Sequence, residues 1–176
     1  MQSKAGSQAI AYKTELNRRY WAYQELHFPA WEKFLDQPRT EGIRPPVFRA
    51  DEAQRNVIVS PEATSQEIQS VLALVPAGER HKWFRSMNSS QALAQSVLGN
   101  LAVYGLLHHL AELQSDEGEP LFGETQFSSK NFQMEFKVNH LGEPRQTSLD
   151  GYISGDYRVA IECKFTEMEF GACSRP

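Results

Sequence analysis

The sequence predicts an α/β domain in which a long amphipathic helix leads into a three-stranded antiparallel meander, with a helical extension in front. Three observations predict it. Apolar residues recur at helical spacing from about Ser89 to Leu113. Beyond Pro120 the hydrophobic period falls from about 3.6 to 2. Turn residues then divide the alternating stretch into three short segments, which reads as consecutive hairpins.

The elements run in chain order. Residues 7–35 read as helical, with Ile10, Leu16, Tyr20, Tyr23 and Leu26 at roughly helical intervals, and Pro29 ends the first helix near His27. Gln37 to Pro46 holds three prolines and a glycine and reads as a connector. Val57-Ile58-Val59 is a short predicted strand. Thr64 to Leu74 is a helix entered at Ser60-Pro61 or Thr64 and stopped by Pro76 and Gly78. In the Ser89–Leu113 helix, Leu93, Val97, Leu101, Tyr104 and Leu107 or Leu110 make an apolar face. Asn88-Ser89-Ser90-Gln91 supplies its cap, with Gln91 placed to close a capping box onto Asn88.

The first strand sets Phe132, Met134, Phe136 and Val138 against Gln133, Glu135, Lys137 and Asn139. A turn at His140 to Pro144 leads to the second strand, Thr147 to Ile153, which puts Leu149 and Ile153 on one face and Ser148, Asp150 and Tyr152 on the other. Ser154-Gly155-Asp156 turns into a third strand, Arg158 to Thr166. Its apolar face is Val159, Ile161, Cys163 and Phe165, and its other face carries Ala160, Glu162, Lys164 and Thr166. The expected organisation is a helical extension over 1–79 and the core over 80–176.

Composition narrows the function. At 176 residues there is enough chain for a real hydrophobic core. No apolar run approaches a membrane span and no secretory leader is evident, so a cytoplasmic protein is expected. Cys163 and Cys173 are too few for a disulfide framework and read as free thiols in a reducing compartment. The net charge of −4 argues against a general polyanion binder. It divides unevenly: residues 1–86 carry +2 and residues 87–176 carry −6, which suits a cation site beside a surface able to approach DNA.

The chemistry gathers on the meander. Glu162-Cys163-Lys164 puts a carboxylate and an ammonium on the same side of one strand, and Asp150 lies on the strand before it. Paired positions in a hairpin keep a constant sum. A three-residue loop, Gly155 to Tyr157, therefore sets Asp150 opposite Glu162, and a five-residue loop sets it opposite Lys164. Either brings the three side chains to one face, with neighbours about 5 Å apart. Adjacent carboxylates repel unless a cation neutralises them, and Mg²⁺ is commonly held by one or two carboxylates, waters and phosphate oxygens. Such a metal polarises a phosphate and lowers the pKa of a bound water, and Lys164 would orient that water. Removing Asp150 is then expected to relieve repulsion in the metal-free protein. An E-x-K pair is also common on a solvated strand face, and Glu135-Phe136-Lys137 repeats it.

Asp150, eleven intervening residues, then Glu162-x-Lys164 on the second and third strands after a long helix resembles the PD-(D/E)XK, restriction-endonuclease-like nuclease superfamily. The segment His81 to Ala92 is similar to the lead-in to the first core helix in one bacterial branch. The resemblance covers roughly residues 80–170. It implies a core of helix, three-strand meander, helix and strand, with Asp150 and Glu162 as metal ligands, the Cys163 carbonyl as a third, and Lys164 as catalytic lysine. The family's proline before the aspartate is absent, since Ser148-Leu149 stand there. An additional acidic residue from the first helix is frequent in the family, and this chain offers Gln91, Gln95 or Glu112. Pro176 comes twelve residues after Lys164, before the usual final helix and strand. A fragment of a longer protein, a truncated gene product, or a chain completed by a homo-oligomer or a partner chain is therefore expected.

The resemblance implies Mg²⁺-dependent hydrolysis of phosphodiester bonds, with Mn²⁺ as substitute metal and DNA as substrate, in a restriction or defence setting. The rival readings are a non-catalytic nucleic-acid-binding or interaction module on the same fold, and a nuclease acting on RNA. His108 and His109 diverge on a helix and do not read as joint metal ligands. Trp83 and Phe84 among Arg80, Lys82 and Arg85 read either as a nucleic-acid contact or as buried rings with basic residues outside.

Overall fold

The computed structural model describes residues 2–122, 127–139, 146–155 and 158–165. The expected turn at 140–144, Asp156, Thr166 and Cys173 lie outside the described residues. The chain forms two compact units. One gathers Met1–Asn56, Lys82–Ala92 and Lys164–Pro176, and the other Val57–His81 and Leu93–Cys163.

In the first unit, helix α1 (Gln2–His27) stops where Pro29 demands, and Ala30 adopts a left-handed conformation, φ 57°, before a 3₁₀ turn at Trp31–Lys33. The buried stripe of α1 is not the one expected. Ile10 and Leu26 are 65% and 77% exposed, while Asn17, Trp21 and Gln24 are buried. Trp21 decides the orientation: its ring packs with Leu35 and Phe48, and its Nε1 donates to the Arg44 carbonyl at 2.9 Å. The amides beside it then need partners. Asn88 Nδ2 donates to Asn17 Oδ1 at 3.4 Å, and Gln24 Nε2 lies 3.1 Å from Met87 Sδ. Backbone bonds from Phe48 N–H to Arg85 O and from Met87 N–H to Pro46 O tie the Lys82–Ala92 segment into this unit.

In the second unit, Val57-Ile58-Val59 makes no strand. Side chains take the place of a neighbouring strand: the Ile58 N–H donates to Ser96 Oγ, and Asn100 Nδ2 donates to the Ile58 carbonyl. Helix α2 (Ser65–Ala73) begins at a complete capping box. Thr64 Oγ1 accepts from the Glu67 N–H, and the Glu67 carboxylate accepts from the Thr64 N–H.

The long helix is shorter than its periodicity predicts. Ser90–Ala94 is α-helical, Gln95–Gly99 is a π turn and Asn100–Val103 is α-helical again; together they are α3. Its cap is Ser89, whose Oγ accepts from the Ala92 N–H, so the third position is alanine and the capping box through Gln91 does not form. Gly105, φ 69°, ends the helix. Leu106 N–H bonds to Leu101 O at 2.7 Å and Gly105 N–H to Ala102 O at 3.3 Å, the bond pair of a Schellman motif. Leu107–Glu112 continues as a separate 3₁₀ helix.

The sheet is the expected meander, in order β1 (Phe132–Val138), β2 (Thr147–Ile153), β3 (Val159–Ile161), all antiparallel. Two apolar clusters lie along it. One joins Val75, Ala94, Leu98 and Met134; the other joins Ala102, Leu107, Phe127 and Ile153, with Phe132 and Ile161 packed against both. Gly151 lies against α3: a Cβ there would lie 3.0 Å from Leu98 Cδ1.

Candidate active site on the meander

Gly151 and Ile153 are buried on the helix side of β2, so Asp150 and Tyr152, alternating with them, stand on the other face. β2 and β3 pair as Ile153 with Val159, Tyr152 with Ala160 and Gly151 with Ile161. The next pair in that register is Asp150 with Glu162, as in the shorter of the two expected loops.

The third strand is shorter than expected, because pairing stops at Ile161. Its physical cause lies in Asp150. The Cys163 N–H donates to Asp150 Oδ2 at 2.7 Å, so a side-chain carboxylate takes an N–H that a longer ladder would use. Cys163 itself packs against the Val75–Leu98 cluster, on the core side as its alternation predicts. Glu162 and Lys164 are exposed.

The first strand departs from simple alternation. The β1–β2 register runs Met134 with Gly151 and Phe136 with Leu149, and skips the pair that would set Glu135 opposite Asp150. Glu135 has φ 50°, left-handed for a non-glycine residue. Its half-buried carboxylate accepts from Ser148 Oγ at 2.8 Å. The twist at Glu135 redirects the next side chain. Phe136, expected beside Met134, stacks instead on Tyr152, with ring centroids 4.0 Å apart and planes inclined 19°. Strict period-two reading could not find this pair, because nothing in Met134-Glu135-Phe136 announces a left-handed glutamate. Phe136, Lys137, Val138, Asn139, Leu149, Tyr152 and Arg158 line a cavity of about 520 Å³.

The other candidates lie as follows. Gln95 is fully buried and its Nε2 donates to the Val71 and Leu72 carbonyls at 2.9 and 3.2 Å, completing the end of α2. Gln91 is buried, and Glu112 is exposed with His109 Nδ1 at 3.1 Å. His108 Nδ1 bonds to Gly105 O. Of the aromatic pair near residue 83, Phe84 is buried, whereas Trp83 is 59% exposed with Lys82 Nζ 5.3 Å from its ring centre. Arg85 is engaged with Asp36 and with the Phe48 carbonyl. Among the described residues no three His, Cys, Asp or Glu side chains come together as a metal-binding group.

A helix packed on a three-stranded antiparallel sheet makes this an α/β chain consistent with a restriction-endonuclease-like domain. The chain belongs to the family described as "Restriction Endonuclease associating with ARP", whose model matches residues 12–176. No curated protein and no solved structure matches it. No described helix is long and apolar enough to cross a membrane.

Proposed function

We propose that this chain is a metal-dependent nuclease of the PD-(D/E)XK type that hydrolyses phosphodiester bonds in DNA, in a restriction or defence setting. The observation that carries the reading is the β2–β3 register, which ends at Gly151–Ile161 and, continued by one step, would set Asp150 opposite Glu162, in a chain of a restriction-endonuclease-related family. The donors are hard oxygens: two carboxylates and the Cys163 carbonyl. That set fits Mg²⁺, or Mn²⁺ in its place, with water and phosphate oxygens completing the shell. When bound, the metal supplies Lewis-acid polarisation of the scissile phosphate and a more acidic water.

The chain's own residues do the remainder. The Cys163 N–H holds the Asp150 carboxylate beside Glu162-Cys163. Asp150, Glu162 and the Cys163 carbonyl would hold the cation. Lys164, assigned by its spacing from Glu162, orients the attacking water and stabilises charge developing on the phosphate. The family description names an association with ARP, which favours a second element of the proposal: the chain works with a partner protein.

The test is incubation of the purified chain with plasmid DNA and Mg²⁺, with and without EDTA, and in parallel with RNA. Cleavage lost in EDTA supports the nuclease. No cleavage of either substrate, alone or with the partner protein, leaves the non-catalytic interaction module as the reading.

A further inference from the structure

We infer that the cavity beside the Phe136–Tyr152 stack is a binding subsite for a single unpaired nucleotide of a nucleic-acid strand. The choice of ligand class rests on the nuclease reading; the subsite itself rests on the geometry of the rings and the rim. Phe136 and Tyr152 each give one ring face to the other at 4.0 Å, forming a paired flat platform at the wall of a cavity of about 520 Å³. That volume is in the range of small-ligand sites. A base stacks on such a platform whatever its sequence, because every base has a π-face.

The rim supplies the complement for a phosphate. Arg158 is exposed at the mouth, and Lys137 is held there by Glu79, 2.7 Å from its ammonium. Asn139, whose side-chain oxygen accepts from Gln146, adds an amide at the same edge. An apolar partner side chain would fill the cavity but give the exposed Arg158 guanidinium, for which no ion pair is seen among the described residues, no counter-charge. A nucleotide satisfies both the rings and the guanidinium. The position is apt as well: Tyr152 lies two residues from Asp150 on the same face of β2, about 7 Å along the strand.

The experiment measures affinity of the full chain for short fluorescein-labelled single strands of DNA and of RNA by anisotropy, in EDTA so that no hydrolysis occurs. Tyr152→Leu and Arg158→Gln are each expected to weaken binding about tenfold. Tyr152→Trp is expected to bind as the wild type does and to show quenching of its indole emission on binding, after subtraction of the wild-type signal. A tenfold loss on either strand supports the subsite, and the strand concerned names the source of the nucleotide. Unchanged affinity for both strands in Tyr152→Leu and Arg158→Gln, with thermal unfolding like the wild type, overturns it. Mg²⁺-dependent cleavage by the wild type is scored separately. Loss of affinity in the variants with no cleavage by the wild type, alone or with the partner protein, keeps the subsite and refutes the nuclease; cleavage with unchanged affinity does the reverse.

Discussion

Asp150 has two roles that a substitution can separate. As the proposed ligand it would be needed for chemistry; as an acceptor it holds the Cys163 N–H at 2.7 Å. Charge relief alone favours a more stable Asp150→Ala protein without metal, but the lost bond acts in the opposite direction. Asp150→Ala is therefore expected to lose cleavage and about 1 kcal/mol of stability in urea, the value for one bond at a half-exposed site. Asp150→Asn keeps an acceptor and should lose cleavage with stability close to wild type. Glu162→Ala and Lys164→Ala should abolish cleavage with an unchanged circular dichroism spectrum. Residual Mg²⁺-dependent cleavage in the Lys164 variant would remove that residue from the mechanism. Gly151, beneath Leu98, gives a contrasting case with no chemistry in it. A Cβ there meets Leu98 at 3.0 Å, so Gly151→Ala should cost about 1 kcal/mol by overpacking. A neutral Gly151→Ala in urea denaturation would mean that the α3–β2 contact yields easily.

At the scale of elements, caps decide where helices begin and end. At the start of α2, hydrogen bonds from the Thr64 backbone and side chain hold the Glu67 carboxyl below its ordinary value of 4.5. A depressed carboxylate pKa stabilises the folded state at neutral pH and ceases to do so as pH falls through the folded-state value. The stability difference between wild type and Glu67→Gln should therefore be constant near neutrality and shrink below pH 4.5, in thermal melts taken across that range. Thr64→Ala, which removes the reciprocal bond, should cost about 1 kcal/mol at neutral pH. A Glu67→Gln difference that does not change with pH would mean that the carboxylate charge plays no part in the cap. The π turn in α3 is a further local feature: Gln95 at its start donates its amide N–H to the end of α2, while its Oε1 is buried without a hydrogen-bond partner among the described residues.

At the scale of the molecule, the two compact units have separate apolar centres, one around Trp21 and Phe48 and the other along the sheet. All three tryptophans, Trp21, Trp31 and Trp83, belong to the first unit. Indole fluorescence thus reports that unit, while far-ultraviolet circular dichroism reports both. The two probes are expected to give non-coincident unfolding transitions in urea; coincident curves would show one cooperative unit.

Much of this architecture was legible in the sequence because its causes are local. Pro29 and the Thr64-x-x-Glu67 box mark helix ends by backbone chemistry that needs no distant partner. Period-two alternation located three strands and the core side of Cys163, since a pleat leaves only two directions for a side chain. The parity of the β2–β3 hairpin confined Asp150 to two registers. Tertiary structure decided the rest, because the competing local choices were nearly equal in energy. Trp21 outweighed Ile10 and Leu26 in setting the buried face of α1, as one large ring with a fixed hydrogen bond can. Ser96 and Asn100 satisfied the backbone of Ile58, so no strand formed there. A left-handed Glu135 turned Phe136 onto Tyr152 and created the cavity, a conformation that costs about 1–2 kcal/mol locally and persists because the packed sheet around it compensates.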